Sequence, residues 1–308
     1  MKIDDLDAYV AVIRCQSLQQ AAQTLGLTQP AITRRLQNFE EALGVELLDR
    51  NTRPLKATAT GRVVYEQCRV IQRELNVLRE MVANDTPPVG TLRLGVAQTI
   101  ADIALPEALR ELKSDYPELQ ASAATGWGSQ LLQRVEQGEL DAAAILLPAN
   151  KSFDAQLAAR SLGRVKLAVV ARKGALKKRS HTLAECQATG WVLNPDGCGF
   201  RDGLQRALTG LGLALKLNLE TLGTGLQLQL VADGHGLGLV PLPLLQASRY
   251  ADSLDVVSIS DFKPLIEIWL VHPRVLGKLQ QPVERFGASV ERQFKAARLH
   301  ARLEQHAA

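Results

Sequence analysis

The feature that most constrains the fold of this chain is a pair of short helices that the sequence predicts on either side of a tight turn near the N-terminus. Ser17 can cap the first helix, and Gly26 can adopt the positive φ angle at its end. Thr28 can cap a second helix that carries Pro30 in its first turn. The apolar side chains of both helices can then form one core: Leu18, Ala21, Ala22, Leu25, Ile32, Leu36 and Phe39.

The outward face of the second helix carries side chains that can reach base edges and phosphates, which is typical of the recognition helix of a helix-turn-helix. For Arg34 the alternative explanation is an ordinary solvated helix surface. The residues predicted to face DNA from this helix and its cap are Thr28, Gln29, Pro30, Thr33, Arg34 and Gln37.

Several motifs around these helices resemble the winged helix-turn-helix of the LysR-type transcriptional regulators. They are Ala21-Ala22 with Leu25, Q-P-A-I-T-R at 29–34, F-E-E-A-L-G-V-E-L-L-D-R at 39–50, and Thr58 with Gly61. The resemblance implies an all-α DNA-binding domain with a wing near the DNA backbone or minor groove. Its predicted wing contacts are Arg50, Arg53 and Pro54.

The chain departs from the family pattern at the wing base. Leu47-Leu48 stands where the family has Leu-Phe, and Ala57 stands where it has Leu. Both differences reduce apolar volume, so the sequence predicts a looser wing.

Length and composition indicate more than one domain. The chain has 308 residues, of which 46% are hydrophobic, and a net charge of +4. That charge is too small to indicate nucleic-acid binding by itself, although basic residues outnumber acidic ones between Thr28 and Arg62. Because we find neither an apolar run long enough to span a membrane nor a signal peptide, we expect the protein in the cytoplasm.

The sequence predicts no enzyme, no cofactor and no metal site. The four cysteines have no C-x-x-C spacing, and the five histidines have no metal-ligand spacing. Nucleophile-elbow and phosphate-loop motifs are absent from the sequence, and the glycines of 234–238 precede a predicted strand instead of following one.

Apolar residues after Thr58 recur at alternating steps of four and three, which predicts a helix that pairs with a second copy. An amphipathic helix packed on its own domain is the alternative. A segment rich in proline and glycine at 85–90 is predicted to end the helix. The residues predicted at the dimer interface are Val64, Cys68, Ile71, Leu75, Leu78 and Val82.

From Thr91 onward strand and helix patterns alternate, which predicts an α/β fold with parallel strands. Three motifs in this part resemble the LysR effector domain, namely Leu94-Gly95-Val96 and residues 138–141 and 230–241. The resemblance implies the architecture of a type 2 periplasmic binding protein, with two subdomains joined by crossing strands. The predicted divisions are a winged helix-turn-helix at 1–60, a linker helix and hinge at 61–90, and an effector-binding domain at 91–308. Subdomain I is predicted at about 91–163 plus 268–308, and subdomain II at about 164–267.

The family binds a small effector in the cleft between its subdomains. Helices that begin at the C-terminal ends of parallel strands direct their free N–H groups into one crevice, which favours an anion such as a carboxylate. Trp127 could stack on an aromatic ligand or pack as a lid, and helix capping is an alternative role for Thr99 and Ser129. The predicted effector-binding residues are Gln98, Thr99, Trp127, Gly128, Ser129, Cys198, Gly199, Phe200, Thr221 and Thr224.

The sequence therefore predicts a LysR-type regulator that binds inverted-repeat promoter DNA as a dimer or tetramer, responds to a small anionic effector, and has RNA polymerase as a partner. Two alternatives remain open. One is a solute-binding module without regulation of DNA. The other is a thiol redox sensor, because the family's peroxide-sensing branch has a reactive cysteine just ahead of an Arg-Asp pair, and Cys198 lies close to Arg201-Asp202. No cysteine follows Cys198.

Overall fold

The computed structural model describes residues 1–49, 52, 54–82, 87–176, 178 and 180–307, and for residues 76, 79–82 and 297–307 it describes the backbone alone. The chain forms two separately packed units. One contains the described residues up to Val82 together with residues 137–139, and the other contains the remaining described residues from Pro87 onward.

The first unit begins with three helices, α1 (Ile3–Cys15), α2 (Leu18–Leu25) and α3 (Gln29–Leu43). The predicted caps are present. The Ser17 hydroxyl accepts a hydrogen bond from the N–H of Gln20, and Gly26 ends α2 with a φ angle of +64°. Ile32, Leu36 and Phe39 are buried with residues of α1 and α2 in one core, so the predicted helix-turn-helix is confirmed.

A short antiparallel pair of strands follows, β1 (Leu48–Asp49) and β2 (Lys56–Ala57). Glu40 joins the recognition helix to this wing, because its Oε1 accepts hydrogen bonds from the N–H groups of Leu47 (2.8 Å) and Leu48 (3.3 Å). Both leucines are buried. The base of the wing is therefore packed without the larger phenylalanine ring of the family pattern.

Helix α4 (Ala59–Val82) starts close against the wing base. The Thr58 hydroxyl accepts a hydrogen bond from the N–H of Gly61 (2.9 Å), and the Tyr9 hydroxyl donates one to the Gly61 carbonyl (2.7 Å). A Cβ at position 61 would lie 2.1 Å from the Leu47 carbonyl oxygen. The Thr-x-x-Gly motif thus needs glycine because the two backbones approach closely.

The second unit alternates strands and helices as the sequence predicts. Its elements are β3 (Gly90–Ala97), α5 (Gln98–Asp115), β4 (Leu119–Gly126), α6 (Gly128–Glu136), β5 (Ala142–Leu147), β6 (Leu157–Arg172), α7 (Leu183–Thr189), β7 (Trp191–Leu193), α8 (Gly199–Gly210), β8 (Leu217–Glu220), α9 (Thr224–Ala232), β9 (Leu237–Pro241), α10 (Leu242–Gln246), β10 (Leu254–Val257), β11 (Leu265–Pro273) and α11 (Gln280–Ala307). Two short 3-10 helices lie at Ala251–Ser253 and Gly277–Leu279.

The strands join in the order β4-β3-β5-β11-β6-β9-β7-β8, and β10 pairs with β6. Strand β3 is parallel to β4 and β5, and β7 is parallel to β8 and β9. Between these two parallel groups run β6 and β11, and the first part of β6, from Leu157 to Lys166, pairs antiparallel with β11. Two α/β parts connected by two crossing strands are therefore present.

The ladder between β6 and β11 is irregular at one point. Gly163 pairs with Ile268, the register shifts between Ile268 and Trp269, and Gly163 has a φ angle of +133°. The register shift lies next to positions 163/164 and 267/268, where the sequence predicts the division between the two subdomains. Among the described helices, none combines the length and the apolar character that a membrane crossing requires.

Candidate DNA-binding and ligand-binding sites

Helix α3 presents most of the predicted DNA-reading side chains to solvent. Gln29, Pro30 and Arg34 are exposed, and Thr33 is half-buried with its hydroxyl donating to the Gln29 carbonyl at 3.1 Å. Thr28 is exposed and caps the helix, because its hydroxyl accepts a hydrogen bond from the N–H of Ala31. The buried side chains of α3 hold the opposite face in the core. The arrangement leaves one polar, basic surface at the start of the helix.

Not every cation counted between Thr28 and Arg62 belongs to this exposed surface. Arg35 does not join the exposed surface of Arg34, because its Nη2 forms an ion pair with Asp4 of α1 at 3.1 Å. On the wing, Pro54 is exposed. The predicted contacts Arg50 and Arg53 lie outside the described residues.

Helix α4 divides the predicted dimer stripe into two parts. Cys68 is 3% exposed within the core of the helix-turn-helix, and Val64 packs against that core. The assignment of Cys68 to an intermolecular contact is therefore wrong, since its own domain already covers it. Ile71 and Leu78 are 39% and 60% exposed, and Leu75 is half-buried. For Val82 the structure describes the backbone alone.

A partly open cavity lies in the second unit, with about 430 Å³ of space that includes some open solvent. It brings together eight predicted effector residues: Gln98, Thr99, Trp127, Gly128, Cys198, Gly199, Phe200 and Thr224. The sequence missed other residues that line it, namely Ala97, Gly126, Leu146, Asn194 and Gly223. Ala97, Gly126 and Gly223 have little or no side chain to give a chemical signal in the sequence, but each of them ends a strand or directly precedes a helix.

Two predicted residues do not line this cavity. Ser129 is exposed. Thr221 is buried, its N–H donates to the Leu193 carbonyl at 2.9 Å, and its hydroxyl has no hydrogen-bond partner in the described part of the chain. Both assignments to the cavity wall are therefore wrong.

Four helices begin at the cavity, namely α5 at Gln98, α6 at Gly128, α8 at Gly199 and α9 at Thr224. The N-cap positions of α5, α8 and α9 are Ala97, Cys198 and Gly223, and none of them provides a side-chain cap. By contrast, helices α2, α3 and α7 are capped by hydroxyls. Because Ala97 is the N-cap, Thr99 lies one residue inside helix α5 and does not have the capping role considered for it.

Asn194 links two of these helix starts. Its Oδ1 accepts a hydrogen bond from the N–H of Gly223 at 3.1 Å, and its carbonyl accepts one from Arg201 Nη1 at 3.2 Å. Arg201 is buried and forms ion pairs with Glu220 (2.6 Å) and Asp196 (2.9 Å). Its charge is thus compensated by carboxylates, and Arg201 does not line the cavity.

Trp127 and Cys198 occupy the wall of the cavity. Trp127 packs partly buried against the main core, and a Cβ at Gly197 would lie 3.7 Å from its indole Cδ1, so the 195–198 turn covers the ring. Burial raises the pKa of the Cys198 thiol, although hydrogen bonds from the backbone of Arg201 and Phe200 partly oppose that shift. Within the described chain, no group of three or more His, Cys, Asp and Glu side chains is placed to hold a metal ion.

Both units of the chain match models of known protein families. Residues 3–62 match the family of bacterial regulatory helix-turn-helix proteins of the lysR family, and residues 85–295 match the LysR substrate binding domain.

Curated relatives match part of the chain. The hydrogen peroxide-inducible genes activator of Haemophilus influenzae is 30% identical over 155 residues, which are 50% of this chain and 52% of that protein. The uncharacterized HTH-type regulator YraN of Bacillus subtilis is 35% identical over 124 residues, 40% of this chain and 43% of that protein. The chain thus spans about half the length of the curated relatives it matches.

Solved structures share the fold over nearly the whole chain. A full-length OxyR variant from Pseudomonas aeruginosa has a TM-score of 0.75 at 19% identity and covers 94% of each chain. CbnR in complex with its target DNA has a TM-score of 0.58 at 22% identity, covering 95% of this chain and 100% of its own. From the two matched domains, this chain belongs to the LysR family of bacterial transcriptional regulators.

Proposed function

We propose that this regulator binds inverted-repeat promoter DNA through helix α3 and its wing, as a dimer or tetramer, and responds to a small anionic effector. The observation that carries the DNA-binding part is the exposed set Gln29, Pro30 and Arg34 at the N-terminal end of a helix whose other face is buried. Such a helix can enter the major groove. The helix-turn-helix match over residues 3–62 favours a regulator over a solute-binding module without DNA regulation.

Fluorescence anisotropy tests this assignment, with a duplex that the wild-type chain selects from a random-sequence library. Arg34→Ala should weaken binding by about 1–3 kcal/mol and relax selectivity at one base position, because it removes a base-reading side chain. Arg53→Ala should weaken all sequences alike and reduce the salt slope by about 0.9. Arg14→Ala, an exposed arginine in the last turn of α1, is the matched control. Unchanged affinity in both Arg34 and Arg53 variants would contradict the proposal.

The oligomeric part rests on the exposed section of α4. Ile71 and Leu78 lie two turns apart on a helix that leaves the DNA-binding domain, and both expose apolar surface. Pairing of this section would remove that surface from water and would place two recognition helices in one assembly. We also propose RNA polymerase as a partner at the promoter and the cytoplasm as the location of the protein, because a regulator of this family acts where the DNA is.

The effector part rests on the uncapped helices. Free N–H groups and the positive dipole ends of α5, α8 and α9 favour a negative group in the cavity, and no carboxylate lines it among the described residues. The side chains of Trp127 and Phe200 fit an apolar or aromatic body. We therefore propose a small organic monoanion, because the lining provides no cationic side chain for a second charge.

A thermal-shift screen of carboxylates, amino acids and neutral sugars on the full chain tests the effector class. A true effector at about 100 times its Kd should add roughly 2.7 kcal/mol to the free energy of unfolding. Thr99→Val should reduce the shift, whereas Ser129→Ala should leave it unchanged, because Ser129 does not line the cavity. Stabilisation by neutral sugars alone, or a full shift in Thr99→Val, would contradict an anion site.

Thiol sensing through Cys198 is the second candidate, because this cysteine lines the cavity and several partial relatives are named hydrogen peroxide-inducible genes activators. Two observations weigh against it. Burial raises the pKa of the Cys198 thiol, which disfavours the reactive thiolate. Cys186, the cysteine that precedes Cys198 in the sequence, is also buried, and burial raises the pKa of its thiol to about 11.

A further inference from the structure

A second concave site lies beside the proposed effector cavity and shares two wall residues with it, Gly199 and Phe200. It lies between helix α8 and the segment that leads into β11, and contains about 580 Å³ of space that includes open solvent. Phe200, Phe262 and Pro264 contribute apolar walls. We call it the α8 groove.

The charged residues that line the α8 groove are of one sign. Arg206 and Lys263 line it and are both exposed, and no carboxylate belongs to its lining in the described part of the chain. Asp202, one turn before Arg206 on α8, is the nearest competing acid on that helix. The Arg206 charge lowers the pKa of Asp202, but burial raises it more.

Apolar side chains and two cations that line the same groove suit one chemical class of ligand. An aromatic ring can remove the walls from water while its carboxylate receives charge-assisted hydrogen bonds from guanidinium or ammonium groups. Phosphate-rich polymers suit it less, because an apolar concave wall does not match their hydrated backbone. We propose that the α8 groove is a second small-molecule site that binds aromatic carboxylates, separate from the effector cavity and independent of the function proposed for that cavity.

The test uses the full-length chain with 4-fluorobenzoate and its neutral analogue 4-fluorobenzyl alcohol, followed by fluorine NMR titration and hydrogen–deuterium exchange. We expect 4-fluorobenzoate to slow exchange in 262–266, a segment that contributes to the α8 groove and not to the effector cavity. The double variant Arg206→Gln, Lys263→Gln should weaken that binding at least about tenfold. Asp202→Asn should strengthen it by removing a competing negative charge.

Arg249→Gln is the matched control, since this exposed arginine stacks on Tyr250 and is outside the groove. Its affinity for 4-fluorobenzoate should equal that of the wild type. The proposal is overturned if protection is confined to residues 97–99 and 127–128, if the alcohol binds as well as the acid, or if the double variant keeps wild-type affinity. Absence of binding by the wild-type chain at the solubility limit of 4-fluorobenzoate also overturns it.

Discussion

Glu40 shows how a single residue can connect the recognition helix to the wing. In the sequence it is one of two adjacent glutamates and counts only as a negative charge among basic residues. In the fold it is buried and accepts hydrogen bonds from the N–H groups of Leu47 and Leu48 at the start of the wing. A sequence pattern cannot distinguish it from Glu41, because only the direction of the following chain gives it these donors.

We expect Glu40→Ala to destabilise the wing by about 2–3 kcal/mol, because it leaves buried N–H groups without an acceptor. Hydrogen–deuterium exchange of residues 47–57 in the full chain measures this as faster local opening. Glu41→Ala is the control, since Glu41 is exposed and should change exchange there little. Equal effects of the two substitutions would show that charge, and not the hydrogen bonds, is responsible.

Cys198 gives a second prediction at the scale of one residue. Because burial raises the pKa of its thiol, Cys198 holds less thiolate near neutral pH than an exposed cysteine does. Iodoacetamide should therefore label it much more slowly than Cys15, which is partly exposed, and labelling should accelerate as the pH rises. Peptide mass spectrometry follows both sites in one sample. Rapid labelling of Cys198 at pH 7 would restore the redox-sensor interpretation.

At the scale of elements, the apolar periodicity predicted helix α4 correctly, but it assigned all of the helix's apolar residues to the dimer interface. Val64 and Cys68 fit a heptad pattern and yet pack into the helix-turn-helix core, while Ile71 and Leu78 remain exposed. The first part of α4 therefore packs into its own domain, and the later part exposes its apolar residues. The heptad spacing alone cannot show where one part ends and the other begins. Strand β6 has the same limit, since its first half, with Arg160 and Ser161, lacks a continuous apolar run from which its start could be predicted.

The exposed part of α4 can be tested separately from the buried part. Leu78→Glu should leave the fold intact, since Leu78 is 60% exposed, but should shift the oligomer toward monomer because a charge enters a desolvated contact. Light scattering across a dilution series measures the change. Val256→Glu, at a 57% exposed apolar residue on β10, is the control. A Leu78 variant with unchanged mass would place the pairing surface elsewhere.

At the scale of the whole molecule, the alternation of strands and helices predicted the position of the cavity well, because residues at strand-to-helix junctions gather where parallel strands end. That rule located Gln98, Gly128, Gly199 and Thr224, each at the start of a helix. It could not locate Asn194 or the ion pairs of Arg201, since these depend on contacts between segments far apart in the chain. Nor could it identify Gly163 as the point where the crossing strands lose their register.

Gly163 offers a test of how the two parts of the effector unit are connected. Its φ angle of +133° is one that other residues rarely adopt, yet a Cβ there would meet no atom within 4 Å. Gly163→Ala should therefore destabilise the unit by about 1–3 kcal/mol through backbone strain alone. Gly225→Ala in α9 also meets no atom within 4 Å and has no positive φ, so it should be neutral or slightly stabilising.

Urea denaturation followed by tryptophan fluorescence measures both variants, because all three tryptophans lie in this unit. Effector binding that bends the crossing strands at Gly163 gives a second readout. In that case the affinity of Gly163→Ala for an effector found by the thermal-shift screen should fall by more than the variant's loss of stability without ligand explains. The reason is that a ligand changes a conformational equilibrium only by its difference in affinity for the two states, and a strained connection alters that difference. Equal stability of the Gly163 and Gly225 variants would contradict backbone strain at Gly163.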